Sequence, residues 1–374
     1  KNMNAKKIFI ITGESSGDKH ASGVVRELKK LNPDAIIEGI SGRNLKEQGV
    51  KLFSDHSKMG GIGITPKLVI DHFTLGKRIV DYLKNTFKPD LVLLVDYGTF
   101  NLAISKFLKK EGFRVFYFIP PQIWASRKWR IHTIKKNIDK VFTIFPFEKQ
   151  MYEKENIDST FVGHPLNFEL PPAAEREEFF TRHGLDKNKR LVSVFPGSRM
   201  FEIKYLLNIF KGAVKIIEKT CPDVQFVFSH ANNLKDDAFS VDYKTIKGEN
   251  QALLSVSDAL ILASGTVALE AALYKTPMII AYRGPLLFYL IYLMVRSIKN
   301  ACLVNIITGK DIVKEFLMYD AKSKDIAQEI IKLLNDGKYR ENQINGLKEL
   351  SSMMGDKHCV EEVAKLINRE LTGE

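Results

Sequence analysis

The sequence predicts an α/β protein of two Rossmann-like domains, each built on a parallel sheet. Strands alternate with helices along the chain, and this order implies parallel strands joined by right-handed crossovers. The alternation breaks at Asn167–Glu178 and then restarts with the same order: an apolar strand, a Gly/Ser turn and an amphipathic helix. The length of 374 residues also exceeds one ordinary hydrophobic core.

The first half begins with a β-rich run at Lys7–Thr12 and helical spacing over Ala21–Lys30. Leu91–Val95 is a continuous aliphatic run, which is typical of a strand buried on both faces. Two further strands are predicted at Arg114–Ile119 and Lys140–Phe145.

A linker at Asn167–Glu178 predicts domains of residues 1–168 and 169–374. The second half is predicted to contain strands Leu191–Phe195, Gln225–Ser229, Ala259–Ala263 and Met278–Tyr282 and helices Glu202–Lys219 and Val267–Tyr274. Folds of this class bind ligands at the carboxyl ends of their strands. We therefore expect the two sheets to face a central cleft.

The composition is that of a globular protein, with 45% hydrophobic and 27% charged residues. The net charge of +12 favours an anionic partner, which is a nucleic acid, a membrane face or an acidic substrate. Because the lysines are spread along the chain and rarely alternate with aromatic residues, we predict no nucleic-acid binding.

The cysteines and the apolar runs indicate the cellular compartment in which we expect the protein. Cys221, Cys302 and Cys359 lie far apart, which argues against a zinc site or a disulfide framework and fits a reducing cytosol. The first residues contain no apolar signal region, so we expect no secretion by that route. The longest apolar run, Leu286–Val295, is about half of the ~20 residues that a membrane span needs.

The turn Gly13–Asp18 follows a strand and opens a helix, so its amides are placed to bind a ligand. It matches neither the dinucleotide fingerprint nor the Walker loop. A plain helix start capped by Ser15 or Ser16 explains it equally well. Glu14 favours a functional site, because a carboxylate at the open end of a sheet is poorly placed for packing. Ser16 and Gly17 are the candidate substrate-binding residues of this turn.

Asp96 directly follows the aliphatic strand Leu91–Val95 and precedes a glycine-containing turn. An inverting sugar transfer needs one carboxylate to take the proton of the acceptor hydroxyl, and Asp96 is the candidate for that general base. The alternative is an aspartate that caps the next helix.

Val194–Arg199 presents a glycine turn and then an arginine at the start of a helix, with Glu202 just beyond. The planar guanidinium of Arg199 suits phosphate, and the helix start, with Ser198, adds amide donors. A surface pair of Arg199 with Glu202 is the alternative, and such a pair stabilises little in water.

Ala263–Glu270 again joins a strand to a small-residue turn and a helix. Gly265 and Thr266 offer amides to a pyrophosphate, and the carboxylate of Glu270 can accept both ribose hydroxyls. A solvated helix glutamate is the alternative, although the flanking residues are apolar. A metal-dependent sugar transferase normally needs an Asp-x-Asp pair to hold a divalent ion across the pyrophosphate, and the chain contains no such pair. We therefore predict no metal and no other cofactor. Arg199 and the helix amides would instead neutralise the charge of UDP as it leaves the donor sugar.

Taken in order and spacing, these stretches resemble the lipid-A-disaccharide synthase family, nearly end to end. The residues that carry the resemblance are Gly13–Asp18, Val95–Asn101, Gly163–Leu166, Pro196–Arg199 with Glu202–Ile203, Ser264–Thr266 with Glu270, and Asn305–Ile306. The resemblance implies a GT-B-type glycosyltransferase that joins UDP-2,3-diacylglucosamine to 2,3-diacylglucosamine 1-phosphate. The products are the β-1,6-linked disaccharide 1-phosphate and UDP.

The resemblance also implies roles for single residues. The general base of the family falls on Asp96 and its UDP-site arginine on Arg199. The other positions that its motifs mark as part of the active cleft fall on Glu14, which is the second candidate catalytic residue, and on Glu202, Glu270 and Asn305. The C-terminal segment of the family returns toward the first domain, and Lys357–Leu371 has helical spacing for this. Some members exchange this region between subunits, so a homodimer stays open.

The resemblance has two departures. This chain has Gly39–Arg43 where the family usually has a Gly-Gly-rich turn, and Met318 where it usually has glutamine. We assign Met318 no role and leave that of Glu315 open.

The acylated substrates imply a cytoplasmic enzyme bound peripherally to the inner membrane. Ile62–Val80 combines apolar residues, among them Leu68, Val69 and Phe73, with cations, as an anionic interface requires. Leu286–Val295 has a similar character. Two ordinary core helices are the alternative.

Three other functions remain open on the residues alone. Two are enzymes of the same fold, a UDP-sugar 2-epimerase and a lipid-linked N-acetylglucosaminyl transferase. The third is a non-enzymatic basic protein that binds nucleotides or nucleic acid.

Overall fold

The structure is a computed structural model of the chain, and it describes residues 5–13, 15–55, 66–124, 129–263, 265–285 and 300–373. For residues 15, 41, 54–55 and 66–72 it describes the backbone alone. The chain divides into two units, of which the first is Lys1–Pro165 with Met354–Glu374 and the second is Leu166–Met353.

The first unit contains a parallel sheet. Its strands are β1 (Lys7–Ile11), β2 (Ile36–Ser41), β3 (Lys51–Asp55), β4 (Leu91–Val95), β5 (Val115–Phe118), β6 (Lys140–Thr143) and β7 (Ser159–Phe161). Within the described residues they form a seven-stranded sheet in the order β3-β2-β1-β4-β5-β6-β7. Every side chain of β4 is at most 1% exposed, as the aliphatic run predicts.

Helices connect these strands and cover the sheet. They are α1 (Ser15–Leu31), α2 (Arg43–Glu47), α3 (Pro66–Tyr82), α4 (Gly98–Lys110), α5 (Arg130–Asn137) and α6 (Pro146–Lys154), and a π-helical turn at Leu83–Phe87 continues α3. The apolar side chains of α3 and α4 pack with those of β1 and β4 in one buried cluster, which includes Phe9, Ile79 and Leu108. Burying each of these side chains contributes about 1.5–3 kcal/mol.

The second unit repeats this plan. Its strands are β8 (Arg190–Phe195), β9 (Val224–His230), β10 (Lys244–Lys247), β11 (Ala259–Ala263), β12 (Met278–Tyr282) and β13 (Lys314–Leu317). In the part of the unit that the structure describes, they pair in parallel in the order β10-β9-β8-β11-β12-β13.

The helices of the second unit, as far as they are described, are α7 (Leu166–Glu169), α8 (Arg176–His183), α9 (Met200–Thr220), α10 (Asn250–Val256), α11 (Val267–Leu273), α12 (Leu303–Thr308), α13 (Ser323–Asn335) and α14 (Gly337–Met353). A 3₁₀ turn at Met318–Asp320 follows β13. Val192, Phe210 and Ile330 are each fully buried and lie in one core cluster between β8, α9 and α13. The α/β fold of two parallel sheets is therefore confirmed.

The strand order reverses once in each sheet, between β1 and β4 in the first unit and between β8 and β11 in the second. Parallel doubly wound sheets bind ligands at the carboxyl edge of this switch point. The turns that the sequence singles out follow these four strands. Each sheet therefore carries two candidate stretches at its own switch point.

The C-terminal helix α15 (Cys359–Thr372) packs against α1 of the first unit. Glu370 pairs with Lys140 at 2.6 Å and also with Arg114, at the amino ends of two strands. The segment before the helix is fixed as well, since the carbonyl of Met354 accepts a hydrogen bond from the backbone of His164 at 3.0 Å. The second unit thus ends at Met353, while the sequence-based boundary assigned the whole of residues 169–374 to the second domain.

Among the described residues, no helix combines the length and the apolar character that a bilayer crossing requires. The apolar run Leu286–Val295 lies outside the described residues.

Candidate active site

Asp96 lies at the switch point of the first sheet, on a strained turn. It and Tyr97 both adopt left-handed backbone conformations, with φ of 50° and 51°. Residues other than glycine rarely adopt this region, and such strain persists only where the surroundings enforce it. The amide of Asn101 and the hydroxyl of Tyr117 donate hydrogen bonds to the Asp96 carbonyl at 2.8 and 2.9 Å. Since α4 begins at Gly98 with Tyr97 at its N-cap, Asp96 is not the capping residue.

The Asp96 carboxylate has a raised pKa. Burial is the main cause, and it outweighs the hydrogen bonds from the Tyr97 amide and the Ser16 hydroxyl and the charge of His20, which all lower the pKa. The Ser16 hydroxyl donates to Oδ2 at 3.2 Å. A carboxylate that binds a proton more readily than usual is a better general base near neutral pH.

Gly17 lets α1 approach this carboxylate. A Cβ on Gly17 would lie 2.3 Å from Oγ1 of Thr12 and 3.3 Å from Cβ of Asp96. Only glycine therefore fits where the helix start crosses the ends of β1 and β4. Glu14, the second predicted catalytic residue, lies outside the described residues.

A cavity of about 390 Å³ opens beside Asp96. Its lining is Asp96, Ile119, Pro120, Pro121, Gln122, Ile123, Arg130, Ile144, Phe145 and Glu148. Of this set, Asp96 alone was predicted from the sequence. Arg130 and Glu148 follow Asp96 by more than thirty residues, and no periodic signal relates them to it.

Glu148 is a buried carboxylate, with 1% of its surface exposed. Burial raises its pKa to about 7, although hydrogen bonds from Trp124 and from the Phe145 and Ile144 amides oppose this. The Trp124 indole donates to Oε1 at 3.1 Å, and the Phe145 amide donates to Oε2 at 3.3 Å. Glu148 therefore changes its charge near neutral pH, within the wall of the cavity.

The second unit has a cavity of about 200 Å³ at its own switch point. Its lining is Phe195, Pro196, Gly197, Ser198, Glu202, Ser229, Ala231, Asn250, Ala263, Gly265, Thr266, Val267 and Glu270. The structure thus brings together five of the predicted binding residues: Ser198, Glu202, Gly265, Thr266 and Glu270. Ser229 and Asn250 were not predicted from the sequence, and the Ser229 hydroxyl donates a hydrogen bond to Oδ1 of Asn250 at 2.6 Å.

Glu202 shapes the turn after β8. Its Oε2 accepts hydrogen bonds from the amides of Ser198 and Arg199 at 2.9 and 3.2 Å. Gly197 has a φ of 124°, and a Cβ there would lie 2.5 Å from the same Oε2. Glycine at this position and a carboxylate at Glu202 therefore fix the turn together, and the alternative of an exposed Arg199–Glu202 pair is not needed to explain Glu202.

Glu270 lines the same cavity from the first turn of α11. Burial raises its pKa, opposed in part by a hydrogen bond from Gln251. The side chain is half-buried, so it is not the solvated helix glutamate of the alternative interpretation.

Two predicted residues of the second unit, Arg199 and Asn305, are not among the described residues that line this cavity. Arg199 is exposed at the N-cap of α9 and acts electrostatically on Tyr282, whose pKa is raised mainly by burial. Asn305 is 2% exposed, and its side chain forms hydrogen bonds with residues of β13 and of the segment before this strand. Its amide donates to Val313 O and Glu315 Oε1 at 2.8 Å each, and its Oδ1 accepts from the Ile312 and Val313 amides at 2.9 and 3.0 Å.

Glu315 is anchored in the same network. Its second oxygen accepts a hydrogen bond from the Ala301 amide at 2.8 Å. Together with Asn305 it joins the start of α12 to β13. Met318, where the chain departs from the family pattern, is 4% exposed and has a φ of 56°.

The predicted membrane residues lie on α3. The side chains of Leu68 and Val69 are outside the described residues, whereas Phe73 is 65% exposed. The ring of Phe73 packs edge-on against Phe107 of α4, with the centroids 6.4 Å apart, and Phe107 is itself 48% exposed.

Two doubly wound parallel sheets, each with a cavity at its switch point, are the architecture of the GT-B fold. A putative UDP-N-acetylglucosamine 2-epimerase from Listeria monocytogenes has this fold, with a TM-score of 0.64, 14% identity and coverage of 100% of this chain and 98% of that one. The calicheamicin glycosyltransferase has it too, with a TM-score of 0.59, 13% identity and coverage of 99% of both chains. At these identities the likeness shows the fold alone.

Sequence comparison identifies the family of this chain within the fold. The family model for lipid-A-disaccharide synthetase matches residues 8–367. Lipid-A-disaccharide synthase of Coxiella burnetii is 36% identical over 98% of this chain and 99% of its own length. The enzyme of the same name from Geobacter sulfurreducens is 34% identical over 96% of each chain. The chain therefore belongs to the lipid-A-disaccharide synthetase family. Its predicted activity, that of a glycosyltransferase of lipid A biosynthesis, is confirmed by this membership.

Proposed function

We propose that the first unit binds 2,3-diacylglucosamine 1-phosphate and that Asp96 activates its 6-hydroxyl. The observation that carries this proposal is the turn that holds the Asp96 carboxylate, with a raised pKa, at the edge of a cavity. As the hydroxyl oxygen bonds to C1 of the donor sugar, its proton passes to Asp96. The bond from C1 to the UDP oxygen breaks, and C1 inverts to the β configuration.

We propose that the second unit binds the UDP part of UDP-2,3-diacylglucosamine. Gly265, Thr266 and Ser198 line one cavity with Glu270, which supports a diphosphate bound beside a ribose. The amides of Gly265 and Thr266 and the hydroxyl of Ser198 would bind the diphosphate. The Glu270 carboxylate would accept the ribose hydroxyls. The exposed cation of Arg199, adjacent to Ser198, would neutralise the diphosphate as UDP leaves.

Other predicted residues take supporting roles in this proposal. Glu202 positions the turn that carries Ser198, because its carboxylate is bonded to that turn. Asn305 positions β13 and the segment before it, since its side chain donates two hydrogen bonds and accepts two there. By resemblance alone, Glu14 is a second catalytic group. A reaction without metal and a homodimer also stay predictions.

Acceptor dependence tests the proposed reaction. With UDP-2,3-diacylglucosamine alone we expect little UDP, and with 2,3-diacylglucosamine 1-phosphate added we expect stoichiometric UDP and disaccharide, measured by chromatography and mass spectrometry. A 2-epimerase would instead convert or hydrolyse the donor without the acceptor. The proposal would be contradicted if UDP were released at the same rate with and without the acceptor, or if no UDP were released with both substrates present.

We also propose that α3 and α4 bind the protein to an anionic membrane face. Phe73 and Phe107 form an exposed aromatic pair, and Lys77, Arg78 and Lys106 are exposed beside them in sequence. Apolar side chains rimmed by cations suit an interface with anionic lipids. The acylated substrates require access to such a surface.

We expect the double variant Phe73→Ser and Phe107→Ser to bind vesicles containing anionic lipid about tenfold or more weakly, because two aromatic side chains no longer enter the interface. Sedimentation of the protein with vesicles measures this. Leu31→Ser is the matched control, since Leu31 is 45% exposed but lies at the end of α1. Equal sedimentation of the double variant and the wild type would contradict membrane binding by this pair.

A further inference from the structure

We propose that Arg130 binds the phosphate of the acceptor and so discriminates a phosphorylated acceptor sugar from its neutral form. This inference rests on the proposed function of the first unit, and it assigns a binding residue that neither the motifs nor the family comparison identified. It concerns the cavity of about 390 Å³ that Asp96 and Arg130 line together.

A hydrogen bond places Arg130 beside the turn that carries Asp96. Arg130 is the first residue of α5, and its guanidinium donates a hydrogen bond to Oγ1 of Thr99 at 3.4 Å. Thr99 lies three residues after Asp96, in the first turn of α4. The guanidinium is therefore held against the same strand-to-helix turn that carries the proposed base.

Gly98 makes this approach possible. A Cβ on Gly98 would lie 2.8 Å from Cβ of Pro121 and 3.8 Å from a terminal nitrogen of Arg130. The absence of a side chain lets the loop after β5 close onto the turn after β4. The cation and the base thus border one space.

Arg130 is the group in the described lining that can attract an anion. Of the described residues that line the cavity, Arg130 is the cation, while Asp96 and Glu148 are carboxylic acids and most of the others are apolar. An anionic ligand would be repelled by the two acids, and a guanidinium offsets that repulsion. The burial that raises the pKa of Glu148 to about 7 also reduces the negative charge there at neutral pH.

The chemistry of arginine matches a phosphate monoester. Its planar fork donates two parallel hydrogen bonds to phosphate oxygens, and such charge-assisted bonds are stronger than neutral ones, more so away from bulk water. The apolar lining, which includes Ile123 and Ile144, suits the less polar parts of an acylated sugar. A phosphorylated amphiphile with a reactive hydroxyl therefore fits the cation, the apolar walls and the base together.

A comparison of a phosphorylated with an unphosphorylated acceptor distinguishes phosphate binding by Arg130 from a structural role of this residue. Wild type, Arg130→Ala and Arg130→Lys are assayed with 2,3-diacylglucosamine 1-phosphate and with the same sugar lacking the phosphate. We expect Arg130→Ala to lower kcat/KM for the phosphorylated acceptor by about 10- to 100-fold, mainly through KM, as the loss of a charged hydrogen bond predicts. With the neutral acceptor we expect less than a twofold change. Arg130→Lys should recover part of the loss.

Lys135→Ala is the matched control, since it removes one positive charge from the exposed side of α5 and leaves the cavity lining intact. A loss that is equal for both acceptors, or no loss for the phosphorylated one, would overturn the role of Arg130. Calorimetric binding of the phosphorylated acceptor, without donor, gives the same comparison independently of turnover. If the wild type binds this acceptor through Arg130 but transfers no sugar, the proposed reaction fails and the phosphate site stands.

Discussion

Asp96→Asn is expected to lower kcat for disaccharide formation by about 10²- to 10⁴-fold, the range that loss of a general base produces. The 6-hydroxyl would then have to lose its proton to water as the bond to C1 forms. Asparagine is the most informative replacement, because Asn and Asp tolerate the left-handed backbone that residue 96 adopts at φ 50°. Alanine there would add backbone strain to the loss of the carboxylate.

Steady-state rates of UDP release measure this effect, and calorimetric binding of UDP should be the same for the variant and the wild type. Asp158→Asn is the matched control, since that carboxylate is 61% exposed and pairs only weakly with Lys140. A variant at Asp96 that keeps more than about a tenth of the wild-type kcat would exclude Asp96 as the base.

Three strands that are buried on both faces were predictable from the sequence. Leu91–Val95, Ala259–Ala263 and Met278–Tyr282 are strands with the same limits in the sequence analysis and in the structure. A continuous aliphatic run favours a buried strand, because the strands of a covered parallel sheet exclude water on both sides. β10 was not predicted, because its side chains are mostly exposed and form no such aliphatic run.

The turns that follow the strands were predictable for a related reason. A glycine and a polar residue directly after a buried strand must lie at the carboxyl edge of the sheet, where ligands bind. Five predicted residues of the second unit accordingly line one cavity. Asn305 shows the limit of this reasoning, because a motif residue that satisfies its hydrogen bonds within β13 and the preceding segment looks the same in sequence as one that binds a ligand.

The surroundings of Asp96 could not be derived from local patterns. Tyr117 and Arg130 reach its turn from β5 and α5, and their separation from Asp96 along the chain follows no helical or strand period. Only the strand order of the sheet brings these elements together. Ser16 was found because it precedes Gly17 in a recognisable turn, although its hydrogen bond to Asp96 depends on β1 and β4 being neighbours.

The free energy of unfolding of the first unit should depend on pH because the Glu148 carboxyl group is buried. Its pKa is raised from 4.5 to about 7 in the folded state, so the folded protein binds more protons than the unfolded chain between these values. The free energy of unfolding therefore falls as the pH rises through this window. For this difference in pKa, the total loss is about 3 kcal/mol by pH 8.

Glu148→Gln should remove this dependence, because the amide does not ionise. We expect the free energy of unfolding of the variant, measured relative to the wild type, to rise by about 3 kcal/mol between pH 4.5 and pH 8. Both tryptophans of the chain, Trp124 and Trp129, lie in the first unit, so their fluorescence during denaturant unfolding reports on that unit. Glu153→Gln on the same helix is the control, since Glu153 is 52% exposed and should show no such change. A constant difference between Glu148→Gln and the wild type across this range would mean that the Glu148 carboxylate stays ionised in the folded protein and that its charge persists in the wall of the Asp96 cavity.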